Sequence, residues 1–223
     1  MQNTKSSETL SQSAVSQLRE EIVQGEMPPG TKLAEAAVAE RLGMSRVPVR
    51  EALVMLEREG LVGYTETGRA YVKELTPHDF EELYTLRLAL EPLGMRLAAP
   101  TLKADSSALH QNVRTLARAL DLRDVTRLDL DFHELIMEAS GNSRLLRLWR
   151  SLRSELEAWL GYMHRAHRLH VKTTRESTVK THLEIIHCIE TSTPAACERV
   201  TRRYVTSWRD WLPLESIEGE AGL

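Results

Sequence analysis

Residues 39–61 read AERLGMSRVPVREALVMLEREGL, and this stretch decides the fold of the N-terminal part of the chain. Gly43 ends one apolar helical repeat, and a second repeat begins only three residues later. Two helices joined by so short a turn must cross steeply, and the start of the second then projects outward. The second helix is predicted to begin at Ser45, which can cap its first turn, and to end at Gly60.

The flanking segments extend this pair into a winged helix-turn-helix. An apolar helical period starts at Val15, and two short strand-like runs, 61–65 and 70–73, predict a hairpin after the second helix. This arrangement is typical of DNA-binding domains. We therefore assign residues 1–75 to such a domain and expect residues 1–12 to be disordered.

The rest of the chain is predicted to be entirely helical. Thr76-Pro77-His78-Asp79 is a strong helix start, because it offers a capping threonine, a proline at the first position and an acid in the first turn. Helices are expected at 77–99, 104–120, 123–139, 144–168, 173–191 and 194–211. Short connections favour an antiparallel all-α bundle of about six helices over residues 76–223. The predicted fold class is thus mainly α.

The composition and the distribution of apolar residues indicate in which cellular compartment the protein is expected. Hydrophobic residues make up 42% of the chain and the net charge is −3, which is ordinary for a globular protein. Apolar runs stay well below the roughly 20 residues that span a bilayer, and residues 1–14 are polar, so a cytoplasmic protein is expected. The two cysteines, Cys188 and Cys197, do not imply a disulfide framework and are expected to be buried or idle thiols.

Candidate DNA-binding residues lie at two predicted tips of the N-terminal domain. They are Ser45, Arg46, Val47 and Arg50 at the start of the second helix, and Gly68 and Arg69 in the hairpin. Arg46 and Arg50 are four residues apart and share a helix face, where a guanidinium can pair with guanine or clamp a phosphate. Arg69 can enter the minor groove. The alternative is that these arginines are solvated surface charges.

A second constellation lies in the predicted bundle. Asp129 and His133 share one helix face, and His182 on a later helix could approach them. A carboxylate with imidazoles from separate helices suits a divalent transition metal such as zinc, nickel or manganese. From spacing alone, a helix-surface pair or a buried core histidine remains open.

The N-terminal domain resembles the GntR-type winged helix. The resemblance rests on PPGTKL at 28–33, on residues 39–53 and on LEREGL at 56–61. It implies that Ser45, Arg46, Val47, Arg50 and Gly68 contact operator DNA. Ala36 stands where fatty-acid-responsive members carry a DNA-contacting arginine, so the operator sequence is not carried over.

The bundle resembles the FCD-type effector domain of the FadR subfamily, through 83–93, 129–142 and the run HLEII at 182–186. The whole resemblance covers about residues 14–211. In metal-containing members an aspartate and three histidines hold the ion, which implies Asp129, His133 and His182 here, with Tyr204 in place of the third histidine. Three outcomes stay open: a three-ligand site completed by water or effector, a tyrosinate-assisted site, or no metal.

The same resemblance implies effector-binding residues. Arg87 would face the effector cavity, where its guanidinium suits a carboxylate, although an intrahelical pair with Glu91 also explains it. Asn142 and Arg150 are further candidates for this cavity. The other histidines are expected elsewhere: His164, His167 and His170 on the solvated surface, and His187 on a different face from His182.

These patterns together predict a transcription regulator rather than an enzyme. We expect a homodimer that binds a pseudo-palindromic operator and represses until a small carboxylate effector enters the helical domain. One rival is a metal-dependent enzyme on the bundle, but a di-metal bundle needs Glu-x-x-His motifs on two helices, and the sequence does not supply them on two. Another rival is a DNA-binding dimer whose bundle senses no effector.

Overall fold

The computed structural model of the protein describes residues 9–209 and divides the chain between Leu75 and Thr76 into two compact units. Over that range the chain forms nine helices and one two-stranded sheet. This architecture confirms the predicted mainly α fold. Within residues 9–209, none of the helices combines the length and the apolar character that crossing a membrane would require.

The N-terminal unit has three helices followed by a hairpin. In chain order these are α1 Leu10–Gln24, α2 Glu35–Leu42, α3 Arg46–Arg58, β1 Val62–Tyr64 and β2 Ala70–Val72. Helix α3 packs on α1, and its buried side, Val49, Leu53 and Leu56, is at most 1% exposed. Complete burial of each such aliphatic side chain contributes about 1.5–3 kcal/mol.

Helix α1 begins earlier than the sequence suggested. The Thr9 hydroxyl accepts a hydrogen bond from the amide of Gln12, and the Gln12 side chain accepts one from the amide of Thr9. This reciprocal cap satisfies two amides that the first turn leaves without partners. The prediction of disorder is therefore wrong for residues 9–12, and residues 1–8 lie outside the described part of the chain.

The turn between α2 and α3 depends on Gly43. Its φ of 64° is left-handed, a conformation that glycine adopts without a steric penalty. The amide of Met44 then donates to the carbonyl of Ala39 at 2.9 Å, which closes α2. Ser45 occupies the N-cap position of α3, but its side chain makes no capping hydrogen bond, contrary to the prediction.

The hairpin forms the wing. Strands β1 and β2 pair antiparallel with Val62 opposite Val72, and the amide of Gly68 donates to the carbonyl of Thr65 at 2.8 Å in the connecting turn. Gly68 has a φ of 75°, so the turn requires a residue that tolerates a left-handed backbone.

The C-terminal unit is a bundle of six helices over its described residues. They are α4 Pro77–Ala104, α5 Ser107–Leu116, α6 Leu122–Ala139, α7 Ser143–Ala166, α8 Val171–Thr191 and α9 Pro194–Trp208. Helix α4 packs against α6, α7, α8 and α9, so it forms the centre of the unit. The last helix was predicted over 194–211, and residues 210 and 211 of that range lie outside the described part of the chain.

Helix α4 is longer than the sequence indicated. Pro100 was expected to end it, yet the helix continues through both Pro92 and Pro100 to Ala104. A proline removes one helical hydrogen bond, but the turn around Pro100 buries Ala98, Ala99 and Leu102. That burial outweighs the local loss.

Close packing of α4 on its neighbours fixes the centre of the bundle. At Gly94, a Cβ atom would lie 2.2 Å from Cε and 2.5 Å from Sδ of Met137, which belongs to α6. The largest fully buried side chains of this unit include Phe80, Phe132, Trp149 and Trp159. The rings of Phe80 and Trp159 meet edge to face with centroids 5.3 Å apart.

Candidate functional site

The outward end of α3 presents the side chains predicted to read DNA. Ser45, Arg46, Val47 and Arg50 are all exposed. Val47 is 63% exposed, although the side chains around it on α3 that face α1 are buried. At the tip of the wing, Gly68 and Arg69 are exposed as well. The geometry thus brings the predicted residues to two exposed tips of the N-terminal unit.

Arg50 has a partner that sequence reasoning missed. Its Nε and Nη2 donate to the two carboxylate oxygens of Glu35 at 2.8 and 2.7 Å. This fork-to-fork pair holds the guanidinium in one plane while leaving 65% of the Arg50 side chain exposed. The hydrogen bonds from Arg50 lower the pKa of Glu35, so this carboxylate is ionised at neutral pH. The proximity of α2 and α3 in a helix-turn-helix is the only sequence signal for the pair.

The bundle brings Asp129, His133 and His182 together. One potential ligand atom from each lies within 4.8 Å of the others. His182 Nε2 lies 3.0 Å from Asp129 Oδ1, and His133 Nε2 lies 4.0 Å from the same oxygen. The His182 ring also stacks on Phe132 with centroids 3.8 Å apart, which fixes its orientation.

Glu91 on α4 supports this cluster and was not predicted to do so. Its carboxylate is fully buried and accepts from Arg87 Nε at 2.7 Å, from Trp149 Nε1 at 3.3 Å and pairs with His133 Nδ1 at 3.1 Å. Burial alone would raise the pKa of Glu91, but the Arg87 guanidinium and His133 outweigh burial and hold that pKa well below its usual range. A buried negative charge thus sits behind His133.

The pKa values of the two histidines of the cluster are shifted in opposite directions. Burial lowers the pKa of both imidazoles. At His133 the neighbouring Glu91 carboxylate reverses that effect, and the pKa is raised. At His182 burial prevails over the hydrogen bond to Asp129, and the pKa is lowered. The neutral imidazole of His182 is the form that binds a metal ion.

A cavity of about 160 Å³ adjoins the cluster. Arg87, Asp129, His133, His164, His182 and Tyr204 are among its lining residues. Arg87 pairs with Glu91 and also lines this cavity, so the ion pair leaves room for the second interpretation; that the cavity takes the effector stays a prediction.

His164 was expected on the solvated surface, and that expectation is wrong. The residue is 7% exposed, lines the cavity and lies with Nδ1 3.2 Å from the hydroxyl of Thr126. It is the inward member of a polar sequence that looked uniformly solvated. His167 and His170 are exposed as predicted, and His187 lines a separate surface groove.

Tyr204 reaches the cavity but is bonded elsewhere. Its hydroxyl donates to the carboxylate of Glu184 on α8. Burial and this carboxylate raise the pKa of Tyr204 to about 12, which disfavours a tyrosinate ligand. A carboxylate and two imidazoles nevertheless fit a divalent transition metal, and the Glu91 carboxylate on His133 Nδ1 is the kind of outer partner that orients a ligating histidine. The donor set thus supports the three-ligand alternative.

Asn142 and Arg150 do not line this cavity, so the prediction that they bind effector there is corrected. The Asn142 side chain caps α7 by accepting from the amides of Arg144 and Leu145 at 3.2 and 3.1 Å. Arg150 is exposed and pairs with Glu134 and Glu138 on α6 at 2.7 and 2.6 Å. Both side chains are occupied by helix capping or by surface ion pairs.

Comparison with known proteins agrees with both parts of this architecture. The chain matches "Bacterial regulatory proteins, gntR family" over residues 10–72 and "FCD domain" over residues 82–207. It is 29% identical to the "Uncharacterized HTH-type transcriptional regulator YdhC" of Bacillus subtilis over 59% of this chain and 61% of that protein.

A second relative is matched over more of its length. The "Probable D-xylose utilization operon transcriptional repressor" of Paenarthrobacter nicotinovorans is 28% identical over 84% of this chain and 82% of that protein. Among solved structures, that of Escherichia coli McbR/YncC shares the fold with a TM-score of 0.76 at 21% identity, over 91% of this chain and 96% of that one.

The two family matches and the relatives, together with a winged helix-turn-helix followed by a helical unit, make this chain a DNA-binding transcription regulator rather than an enzyme. The chain belongs to the GntR family of bacterial regulatory proteins and carries an FCD domain in its C-terminal unit. The family predicted from residues 28–61 and 83–186 is thereby confirmed.

Proposed function

We propose that the protein is a metabolite-controlled repressor whose α3 and wing bind operator DNA and whose helical unit binds the controlling ligand. The observation that carries this proposal is the exposure of Arg46 and Arg50 on the outward end of α3, above a fully buried side that holds the helix in place. The name of the Paenarthrobacter relative, a repressor, supports repression over activation.

On the DNA, each exposed residue has a distinct role. Arg46 and Arg50 read base edges or clamp phosphates in the major groove, while the amides at the start of α3 and the Ser45 hydroxyl suit a phosphate. Arg69 at the wing tip enters the minor groove, and the absence of a side chain at Gly68 permits close approach. Glu35 keeps the Arg50 fork ordered before contact.

The active form is a homodimer that binds a pseudo-palindromic operator. Helices α4 and α7 pack against each other and both expose large apolar side chains to solvent. These are Leu86, Leu93 and Leu97 on α4, and Leu148 and Tyr162 on α7. A second copy would bury them, and twofold symmetry would match two half-sites.

The ligand cavity suits a small hydroxylated carboxylate together with a divalent zinc, nickel or manganese ion. Asp129, His133 and His182 would hold the ion, which would supply positive charge and Lewis acidity beside the cavity. Arg87 contributes little net charge of its own, because Glu91 neutralises it. The hydroxyls of Thr126, Thr178 and Thr181 line the cavity and can bond to a hydroxylated ligand.

Effector binding would control the operator through the dimer. Both DNA-binding units must match one half-site spacing, so a ligand that favours another arrangement lowers operator affinity by its differential binding energy. A coupling of about 1–3 kcal/mol is typical of such systems.

The test is a fluorescence-anisotropy titration of the protein on the DNA upstream of its own gene, against a scrambled duplex at the same salt concentration. We expect Arg46→Ala and Arg50→Ala each to weaken specific binding by about 1–3 kcal/mol. Arg58→Ala, at the exposed far end of α3, is the matched control and should bind as the parent does. Equal affinity of the parent for both duplexes would refute the proposal.

The ligand is tested separately by calorimetry with a panel of hydroxy acids, with and without added zinc, nickel or manganese. Binding that requires the metal and is lost in Asp129→Ala supports the cavity assignment. Operator binding that is unaffected by every metal-dependent ligand would leave the bundle as a dimerisation domain only.

A further inference from the structure

The two cysteines of the chain are neighbours in space. Cys188 lies in the last turn of α8 and Cys197 in the first turns of α9, and their Sγ atoms are 3.7 Å apart. The sequence contains only these two cysteines. Two thiols in contact differ from two separate buried cysteines, because once one of them is oxidised the other is close enough to attack its sulfur.

The local backbone holds the pair in this position. Only Ser192 and Thr193 separate the two helices. The amide of Ser192 donates to the Cys188 carbonyl at 2.8 Å, and the amide of Cys197 donates to the Thr193 carbonyl at 3.0 Å. Lys103 of α4 adds a bond from Nζ to the Ser192 carbonyl at 3.2 Å. Closing the sulfur separation to the roughly 2.0 Å of a disulfide thus asks for side-chain rotation and a small shift of a two-residue corner.

The two thiols differ in access to solvent. Cys188 is partly exposed, whereas Cys197 is 1% exposed. Burial raises the pKa of Cys197 to about 11, with the adjacent Cys188 contributing in the same direction. Cys188 is therefore the thiol that a solvent-borne oxidant meets, and Cys197 is the thiol that meets the oxidised product.

We propose that Cys188 and Cys197 form a reversible, hydroperoxide-driven disulfide that joins the end of α8 to the start of α9. The Cys188 thiolate attacks the peroxide, the O–O bond breaks, and a sulfenic acid forms at Cys188 with release of hydroxide or alkoxide. Cys197 then loses its proton and attacks Sγ of Cys188, and the sulfenic oxygen leaves as water. The two thiols lose two electrons in total, and the peroxide gains them.

The disulfide would bear directly on the ligand cavity. Helix α8 contributes Thr178, Thr181 and His182 to its lining, and α9 contributes Tyr204 and Trp208. A covalent link at the corner between these helices restricts their separation at one end. The modification site itself does not depend on DNA binding, so it stands or falls independently of the proposed function.

The experiment uses the full-length reduced protein treated with hydrogen peroxide or an organic hydroperoxide and measured by intact-mass spectrometry. We expect the loss of two hydrogens per chain, the disappearance of both titratable thiols, and full reversal by a phosphine reductant. The linked peptides should map to Cys188 and Cys197. A non-reducing gel should show no covalent dimer, which would place the disulfide within one chain.

Two variants separate this reaction from general thiol oxidation. In Cys197→Ser we expect Cys188 to accumulate as a sulfenic acid that dimedone traps, and in Cys188→Ser we expect the buried thiol to resist oxidation. Circular dichroism checks that both variants fold. Stepwise gain of oxygens by the parent without loss of hydrogens, or a disulfide between chains, would overturn the proposal.

Discussion

At the scale of single residues, the proposed DNA interface gives Glu35 two opposing effects on DNA binding. Its carboxylate orders the Arg50 fork through two hydrogen bonds, yet it also places a negative charge next to the surface that we assign to DNA. An ordered Arg50 guanidinium favours DNA that carries the matching base. The negative charge of Glu35 repels the phosphate backbone of any DNA sequence equally. The residue should therefore raise specificity while lowering general affinity.

Glu35→Gln is expected to separate these effects. Affinity for a scrambled duplex should increase, and the preference for the operator should fall by about 1 kcal/mol because a bidentate contact loses its fixed geometry. Anisotropy titrations on both duplexes at one salt concentration measure the ratio. Glu40→Gln removes the same charge from an exposed position on α2 and is the matched control. If both variants change the ratio equally, Glu35 acts by charge alone.

Asp129, His133 and His182 are expected to hold a metal ion. Protein purified without a histidine tag should hold one divalent transition ion per chain by elemental analysis, and His182→Ala should hold none. His182 supplies the neutral imidazole, so its loss leaves two ligands, too few for a stable site. His110→Ala, at a partly exposed histidine paired with Glu190, is the control and should keep the ion. Retention of metal by His182→Ala would place the ion elsewhere.

How far the sequence predicts this site depends on where each partner comes from. Asp129 and His133 follow from helical spacing, because residues four apart share a face. Glu91 does not, since its contact with His133 depends on how α4 packs against α6. His164 was missed for a similar reason: charged neighbours in sequence hide the fact that its own side chain points into the bundle.

At the scale of secondary structure elements, the close approach of α4 and α6 is set by Gly94. We expect Gly94→Val to lower the free energy of unfolding of the protein by about 1–3 kcal/mol, because its added methyl groups collide with the buried Met137 side chain. Chemical denaturation followed by circular dichroism measures the change.

Ala108→Val adds the same kind of side chain to an exposed position of α5, outside the apolar faces of α4 and α7, and serves as the control. Its cost should be limited to the helix propensity of valine, about 0.5 kcal/mol. Equal destabilisation by the two variants would show that Gly94 is not required for helix packing.

Element boundaries were predictable where local chemistry decides them. The cap at Thr76, the glycine at 43 and the hairpin turn at Gly68 all act within a few residues, and the structure has each where the pattern indicated. The end of α4 was predicted wrongly at Pro100, because the local effect of a proline is to destabilise a helix. Contacts with other helices, which bury the flanking alanines, offset that effect. Tertiary packing of this kind is absent from any short window of sequence.

At the scale of the whole molecule, the repression that we propose depends on the proposed dimer. Leu93→Glu, on the exposed apolar side of α4, is expected to shift the protein to monomer in analytical ultracentrifugation. Operator affinity should then fall by about a hundredfold or more, because one half-site no longer raises the effective concentration at the other.

Leu120→Glu provides the comparison. Leu120 is 86% exposed between α5 and α6 and belongs to neither α4 nor α7, so this variant should stay dimeric and bind as the parent does. A Leu93→Glu protein that remains dimeric would move the interface to another surface.

Pro92 lies between Glu91, which faces the buried cluster, and Leu93, which faces solvent. Because proline has no amide hydrogen, the carbonyl of Leu88 lacks its partner in the helical ladder, and α4 bends more easily at this point, as it does at Pro100. Strain that a ligand imposes on Arg87 and Glu91 would be relieved by bending here, so the leucines on the outer side would change their angle before the rest of the bundle yields. Helix α4 would then act as a hinged element whose hinge, Pro92, follows Glu91 of the buried cluster directly in the chain.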